Sequence, residues 1–499
     1  MVMTTPGQHS DGEPPRYPAG TTLGFDSSVR LLDSIDGHVV LMGGAPMRLL
    51  RLRARARDVV RRWQEGDPIG ANGSEQRLAD RLIDANVAHP RIPVGAGPSA
   101  GDVTIVIPVQ DRAVELDALL TSLGDLLSRA AAVIVVDDGS SDASGEVARG
   151  AGAAVVRRDA ASGPGAARNA GLALVETPFV AFLDSDCIAS PDWLDALLPH
   201  FADSQIAIVA PRVASCPDPS LIGRFEAVRS SLDLGSTPAL VRPGSRVSYV
   251  PAAALVARTA AIRDLGGFAE AMHVGEDVDL VWRTIEAGRR VRYEPESVVR
   301  HRPRVSLPEF AARRYAYGSS AGPLERRHPG RLNPLVLSPW SAAAWAAAAT
   351  WTPLGIGVGA VIATGSGAAL PAKLTMVAEP RRLAWTLATR GHLGAGEQLA
   401  RSLVRTYLPL TALAGITSRR ARRVALAAFV PYLADWRRDR RAASSTPSVM
   451  PYVGVRFVDD AAYCLGVWHS CVTARTIGPL TPRLQNWPGR RSATEDGGS

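Results

Sequence analysis

Phe179-Val180-Ala181-Phe182-Leu183-Asp184-Ser185-Asp186 is the stretch on which the reading of this chain turns. Its apolar residues make a buried strand, and the run stops at two carboxylates separated by one small residue. In an open α/β sheet the carboxyl ends of the strands face the ligand crevice. Paired hard oxygen donors there suit Mg2+ or Mn2+ bridging a diphosphate. Taken alone, D-x-D reads first as an Asx turn capping a helix from Pro191, so the neighbouring segments decide.

Upstream, Val133-Ile134-Val135-Val136-Asp137-Asp138-Gly139-Ser140 is a second apolar run ending in acid, one strand-helix-strand spacing earlier. Before it, Val103–Val109 is a β-branched run interrupted by Pro108, and Leu116, Leu119, Leu120, Leu123 and Leu127 follow at helical spacing. The alternation continues through a strand at Ala153–Val156, a helix from Gly165 to Val175 and a helix from Pro191 to Phe201. That order describes a largely parallel sheet. Further on, Leu265-Gly266-Gly267-Phe268 precedes Gly275-Glu276-Asp277-Val278-Asp279, where acids open an amphipathic helix. Acids favour a helix N-terminus whatever the function, which accounts for one of the three. His301 ends Val298-Val299-Arg300-His301, after a strand from Arg290 to Tyr293; a lone histidine there reads first as a structural residue.

Ile107-Pro108-Val109-Gln110-Asp111, Val136-Asp137-Asp138-Gly139-Ser140-Ser141-Asp142, Gly163 to Gly171 with Arg168-Asn169 inside it, Asp184-Ser185-Asp186 and Gly275-Glu276-Asp277 together resemble the family 2 glycosyltransferases over about residues 102 to 320. The resemblance implies a type A nucleotide-sugar-binding fold and an inverting transfer. It assigns Pro108 and Asp138 to the uracil, with Asp111 beside it where Gln110-Asp111 replaces the family's Tyr-Asn. Arg168 would meet the diphosphate or sugar, although a solvated helix face accounts for it as well. Asp184 and Asp186 would hold Mg2+ or Mn2+, with His301 as a third ligand or diphosphate contact. Asp277 would be the general base, with Glu276 beside it. Arg313-Arg314-Tyr315-Ala316-Tyr317-Gly318 stands where relatives close over the diphosphate, which makes Arg314 a donor-binding candidate; solvated arginines fit that segment too.

At 499 residues the chain exceeds one ordinary domain. The four cysteines, Cys187, Cys216, Cys464 and Cys471, form no C-x-x-C pair, so reduced thiols are expected and zinc is not indicated. The net charge of +8 comes from arginine clusters without interleaved aromatics, which favours an anionic membrane surface or diphosphate over nucleic acid. Residues 1–20 lack the basic start and apolar run of a signal peptide and read as disordered, as do 481–499. A hairpin over Gly37–Leu52 followed by helical patterns at 53–64 and 75–86 makes residues 21–92 a winged-helix-like α+β module, joined by a Pro/Gly linker at 93–101 to a transferase domain at 102–325. The module is similar to a peptide-recognition fold that binds by strand addition; a purely structural subdomain is the other reading. Residues 332–372 carry no charged side chain and are flanked by arginines, so 326–480 reads as a helical, membrane-associated region lying on or shallowly inserted in the cytosolic face, with a spanning helix also long enough.

The fold class expected is therefore α/β: a Rossmann-like type A core, a small N-terminal winged-helix-like module and a helical, apolar C-terminal region. Gly43-Gly44-Ala45-Pro46-Met47-Arg48-Leu49-Leu50-Arg51-Leu52, the transferase motifs, and Tyr315 to Leu324 before Arg327-His328-Pro329-Gly330 resemble the mycofactocin-system glycosyltransferase family over nearly the full length. That resemblance implies UDP-glucose as donor, a peptide-derived mycofactocin acceptor and a growing β-1,4-linked oligoglucoside. A family 2 enzyme acting on a lipid or cell-envelope polysaccharide, and a non-enzymatic peptide-binding scaffold, are the competing readings.

Overall fold

In the computed structural model residues 16–485 are described, apart from 27, 28 and 36. The disorder expected at 1–15 and 486–499 falls outside those residues. At 16–20 that expectation is corrected: Tyr17 is buried, and Arg16 pairs with Asp80 and Asp203 at 2.8 and 3.0 Å. Two compact units divide the chain, one holding residues up to Cys216 with Ser230–Arg302, the other Pro217–Arg229 with the residues from Pro303 onward.

The first unit begins with five short strands, β1 (Thr22–Phe25), β2 (Arg30–Asp33), β3 (Val39–Gly43), β4 (Arg48–Leu52) and β5 (Ala88–Arg91). β2, β3 and β4 form an antiparallel sheet with β3 in the centre, and β1 pairs with β5. Helices Ala54–Gln64 and Gly73–Asp84 bury Val60, Trp63, Leu82 and Ile83 in a core shared with Val39, Leu41 and Leu52. Burying that apolar surface is what holds so small a module together. Asn72 caps the second helix by accepting from the Glu75 amide at 2.8 Å.

The main sheet follows, with β6 (Val103–Val109), β7 (Ala132–Asp138), β8 (Ala154–Arg158), β9 (Phe179–Leu183), β10 (Cys187–Ala189), β11 (Ile206–Ser215), β12 (Ala239–Leu240), β13 (Ala254–Arg258) and β14 (Arg290–His301). The nine strands run in the order β10-β14-β11-β13-β9-β6-β7-β8, with β12 on β14. Pairings among β6, β7, β8 and β9 are parallel, as is β11 with β14, whereas β13, β10 and β12 pair antiparallel. The sheet is thus mixed rather than largely parallel. Strands buried on both faces read as continuous apolar runs in either direction, so Ala254–Arg258 carries no sign of its orientation.

The helix expected from Pro191 to Phe201 is also corrected, to turns and a 3-10 segment at Leu198–Ala202. Trp193, Leu194, Leu197, Leu198 and Phe201 are all buried, and Pro199 removes an amide that a continuous helix needs. Helix Pro164–Ala173 packs so closely on β6 and β7 that a Cβ on Gly171 would lie 2.4 Å from Val106 Cγ1.

The second unit is helical. Helices Leu307–Ser319 and Val449–Thr473 pack together, and Gly318 and Gly466 allow the close approach. Helices Pro339–Ala348, Pro353–Ala369, Pro380–Arg405, Leu408–Thr417, Arg419–Ala427 and Val430–Ala442 complete its larger elements. Among the described residues one stretch, Pro353–Lys373, is long and apolar enough to cross a bilayer. It leaves Leu354, Ile356 and Val361 exposed. The short strand Val336–Leu337 pairs with Arg483–Leu484, so residues 481–485 include ordered backbone rather than the expected disorder.

Candidate active site

At the carboxyl end of β6 and β7 the two acidic turns are laced together by short hydrogen bonds. Asp137, buried, accepts from the Ser140 amide at 2.9 Å and pairs with Arg157. Burial would raise its carboxyl, but these donors win and hold it below the usual range. Asp111 has the left-handed φ of 48°, and its Oδ1 accepts from the Ser141 amide and hydroxyl at 2.7 and 2.9 Å. Asp142 then accepts from the Ala113 amide at 2.9 Å. Gly139 also has a positive φ, and a Cβ there would lie 2.8 Å from the Ala161 amide nitrogen. Asp138 sits under this turn and accepts from the amides of Ser162 and Gly163 at 3.0 and 2.9 Å. Pro108 lies within the buried β6 strand, paired with Val136 of β7.

Arg168 links two other anticipated residues. From helix Pro164–Ala173 its guanidinium donates to Asp184 Oδ1 at 2.6 Å and Glu276 Oε1 at 2.8 Å, and it lies over the Phe268 ring. Burial opposes its charge, yet the two carboxylates more than compensate and raise its pKa. Its Nε, buried, has no hydrogen-bond partner. Asn169, the next residue, bonds both the Phe268 carbonyl and amide, at 2.9 and 2.8 Å, and so fastens the Leu265–Phe268 loop beside the site. The R-N pair of the motif therefore has divided duties, one residue toward the acids and one toward the loop.

Asp184 and Asp186 leave β9 in a tight turn. Asp186 is buried, with His301 Nε2 3.3 Å from Oδ1 and the Arg112 guanidinium on Oδ2. Backbone joins them as well: the Arg302 amide donates to the Asp186 carbonyl at 3.0 Å. Among the described residues no three His, Cys, Asp or Glu side chains are already gathered to hold a metal ion. The donor set nevertheless fits a divalent cation: a buried carboxylate carrying an arginine, with imidazole nitrogen beside it and a second carboxylate one residue away, supplies the oxygen and nitrogen ligands Mn2+ or Mg2+ accepts. Arg112 was not anticipated from the sequence. Its place directly after Asp111, at the start of helix Ala113–Leu123, was the available signal.

Gly275, with φ 85°, starts helix Glu276–Glu286. Asp277 is partly exposed and accepts from the Ala252 amide at 3.3 Å and the Val278 amide at 2.8 Å. Burial pushes both Glu276 and Asp277 upward, and for Glu276 the neighbouring Asp277 charge adds to the push while Arg168 opposes it. Asp279 is spent differently. Fully buried, it pairs with Arg283 at 2.7 Å, and Arg283 in turn donates to the Leu265 and Gly267 carbonyls. Of the three acids opening the helix, Asp279 secures the loop and the other two face Arg168 and the cleft backbone.

Arg314 is the remaining candidate. It is buried in the second unit, where it pairs with Glu226 at 2.8 Å and Asp459 at 3.3 Å and lies over the Phe310 ring. Those partners fix its guanidinium within that unit.

Residues 104–263 match the family Glycosyl transferase family 2. The chain is 45% identical over 481 residues to the pre-mycofactocin glycosyltransferase of Mycobacterium tuberculosis (strain CDC 1551 / Oshkosh), covering 94% of this chain and 99% of that one. The chain belongs to the pre-mycofactocin glycosyltransferase family. It is a glycosyltransferase of the mycofactocin pathway, using a nucleotide-sugar donor and an acceptor, and its mixed sheet is the type A core of family 2. A more distant similarity, 30% identity over 212 residues, links 38% of the chain to 59% of the succinoglycan biosynthesis protein ExoU of Rhizobium meliloti (strain 1021). Among solved structures, the mannosyltransferase PcManGT from Pyrobaculum calidifontis superposes with a TM-score of 0.36 at 18% identity, over 63% of this chain and 92% of that one.

Proposed function

We propose that the protein transfers glucose from UDP-glucose to a peptide-derived mycofactocin acceptor with inversion, and that repeated additions build a β-1,4-linked oligoglucoside. The observation that carries this reading is the convergence of Asp138, Asp184, Asp186, Arg168, Glu276 and Asp277 around the sheet's carboxyl ends in a chain so close to a pre-mycofactocin glycosyltransferase. Asp138, fixed by two backbone amides, retains acceptor capacity for the uracil N3 hydrogen. Arg168 and Arg112 bring positive charge to the diphosphate. Asp277, with its raised pKa, takes the proton of the acceptor hydroxyl as that oxygen bonds to the anomeric carbon. The bond from that carbon to the diphosphate oxygen breaks on the opposite face, and UDP leaves with the electron pair. A divalent cation held by Asp186 and His301, with Asp184 beside it, would neutralise charge on the departing diphosphate. Glu276 positions Arg168.

The N-terminal module supplies acceptor recognition in this reading, through the edge strands β2 and β4, either of which offers backbone groups to an extended peptide. The second unit associates with the cytosolic membrane surface without crossing it. Trp340, Trp345 and Trp351, the exposed apolar residues of Pro353–Ala369, and Leu410, Leu413 and Ile416 of Leu408–Thr417 form its apolar side chains, and Arg419, Arg420, Arg422 and Arg423 follow for anionic headgroups. The same feature favours a second reading, in which the acceptor is itself a lipid.

Purified protein is incubated with labelled UDP-sugars and either the peptide-derived acceptor or lipid acceptors, with products identified by mass. Hexosylated peptide product from UDP-glucose supports the reading; label appearing in lipid alone replaces it with the second. Cosedimentation with anionic against neutral vesicles tests the membrane assignment, and equal recovery in the supernatant with both would remove it.

A further inference from the structure

The two arginines that meet the D-x-D turn are held differently. Arg168 is sealed in, its side chain 4% exposed and shared between Asp184 and Glu276. Arg112 has a side chain 30% exposed, and Asp186, itself 7% exposed, is its carboxylate partner. The base of the Arg112 side chain is fixed: its own amide donates to Ser144 Oγ at 3.2 Å, while the residues on either side are tied to Ser141 and Asp142. The guanidinium therefore swings on a flexible stem from a rigid turn.

We propose that Arg112 is an exchangeable counter-charge, which holds Asp186 in the donor-free protein and moves to the donor's diphosphate when a divalent cation takes its place on that carboxylate. The inference rests on the metal and nucleotide assignments above. With His301 on one oxygen of Asp186 and Arg112 on the other, the buried carboxylate is charge-balanced without a metal. A divalent cation needs the same lone pairs, and it repels a guanidinium that stays on them. The diphosphate arrives with that cation and offers the released fork a bidentate anionic partner. Arg168, bound to two acids, cannot make this move without uncovering Glu276 as well. Arg112 thus makes metal and donor binding cooperative: it competes with the metal alone and assists the metal together with UDP.

The full-length protein and its Arg112→Gln and Arg112→Lys variants are compared, with matched thermal melting curves as the folding control. Free Mn2+ is read by electron paramagnetic resonance without nucleotide, and UDP binding by calorimetry at saturating Mn2+. Arg112→Gln should bind Mn2+ alone about tenfold more tightly and Mn2+-UDP about tenfold more weakly, the factor expected for a charged hydrogen bond lost from one state and then the other. Arg112→Lys, which keeps the charge, should fall between the wild type and the Gln variant in both measurements. Unchanged or weaker Mn2+ binding in Arg112→Gln overturns the exchange, as does unchanged UDP affinity. A wild-type protein that binds UDP but takes up no Mn2+ even with UDP present, in a second resonance titration, removes the metal assignment itself and the exchange with it.

Discussion

The Glu276–Asp277 pair of the first unit's cleft and the ion-pair lattice of the helical second unit use the same residue types, and they resolve burial in opposite ways. In the helical unit Asp460, fully buried, meets Arg405 at 2.6 Å, Arg456 at 3.5 Å and the Tyr432 hydroxyl at 2.6 Å. Asp435, equally buried, meets Arg229, Arg401 and Arg438. Burial pushes both acids upward, but the surrounding arginines prevail and hold them below the usual carboxylate range. In the cleft a single buried guanidinium serves both Asp184 and Glu276, and Glu276 and Asp277 stay raised. A lattice that answers each buried acid with several cations is a packing device. A cluster left short of positive charge is where a ligand has something to add.

The sharpest way to break that comparison is to neutralise one acid on each side. Asp277→Asn should lower transfer about 10^2- to 10^4-fold, the usual contribution of a general base, with UDP affinity within a factor of about two by calorimetry. Normal turnover would move the base role to Glu276. Asp460→Ala should act on stability instead, costing about 2 kcal/mol because Arg405, Arg456 and the Tyr432 hydroxyl lose a fully buried carboxylate partner, while the kcat of the protein that remains folded is unchanged. An activity loss without a lower melting temperature would erase the distinction between the regions.

Next in size, Asp186→Ala should weaken UDP binding at saturating Mn2+ roughly tenfold or more, and chelation should reproduce that loss in the wild type. Full transfer after exhaustive chelation would end the metal assignment.

Acidity sharpens the contrast further, because the two regions carry opposite signs. Asp435 and Asp460 have folded pKa values below the ordinary 3.8, so their stabilisation is present above that value and is lost as pH falls through the lowered ones. Asp277 has a folded pKa raised above 3.8, so stability declines as pH rises from the ordinary value through the raised one, while the active base form grows over the same interval. Hydrogen exchange at acid and neutral pH should show Val449–Thr473 losing protection on acidification more than Glu276–Glu286, and transfer should rise with pH along a limb above the ordinary aspartate range. The reverse order of protection would refute the electrostatic contrast.

The smallest effect is expected at the edge of the N-terminal sheet. Leu31→Pro in β2 removes one backbone donor from a strand whose side chains are largely exposed. The acceptor KM should rise a few-fold with donor affinity unchanged, and unaltered acceptor kinetics would leave the module a structural appendage.

Much of the acidic cleft's geometry was legible in the chain because strand ends are marked locally. An apolar run that stops at Asp137-Asp138 or Asp184-Ser185-Asp186 names its own carboxyl end, and Gly139 and Gly275 announce turns that need positive φ. Arg112 was overlooked because nothing in its neighbourhood shows that residue 186 lies within its reach. Arg314 shows the same dependence on distance: Glu226, far from it in sequence, pairs with it at 2.8 Å.

By itself the sequence determined the strand-and-turn grammar of the transferase core, the residue types at its acidic ends and the apolar, arginine-flanked character of the C-terminal helices, since each depends on neighbours a few positions away. Tertiary structure alone decided the antiparallel placement of β13 and which arginine answers which acid. Those outcomes are set by distance in space, where a buried charge takes the partner that packing brings to it, and no local pattern encodes that choice.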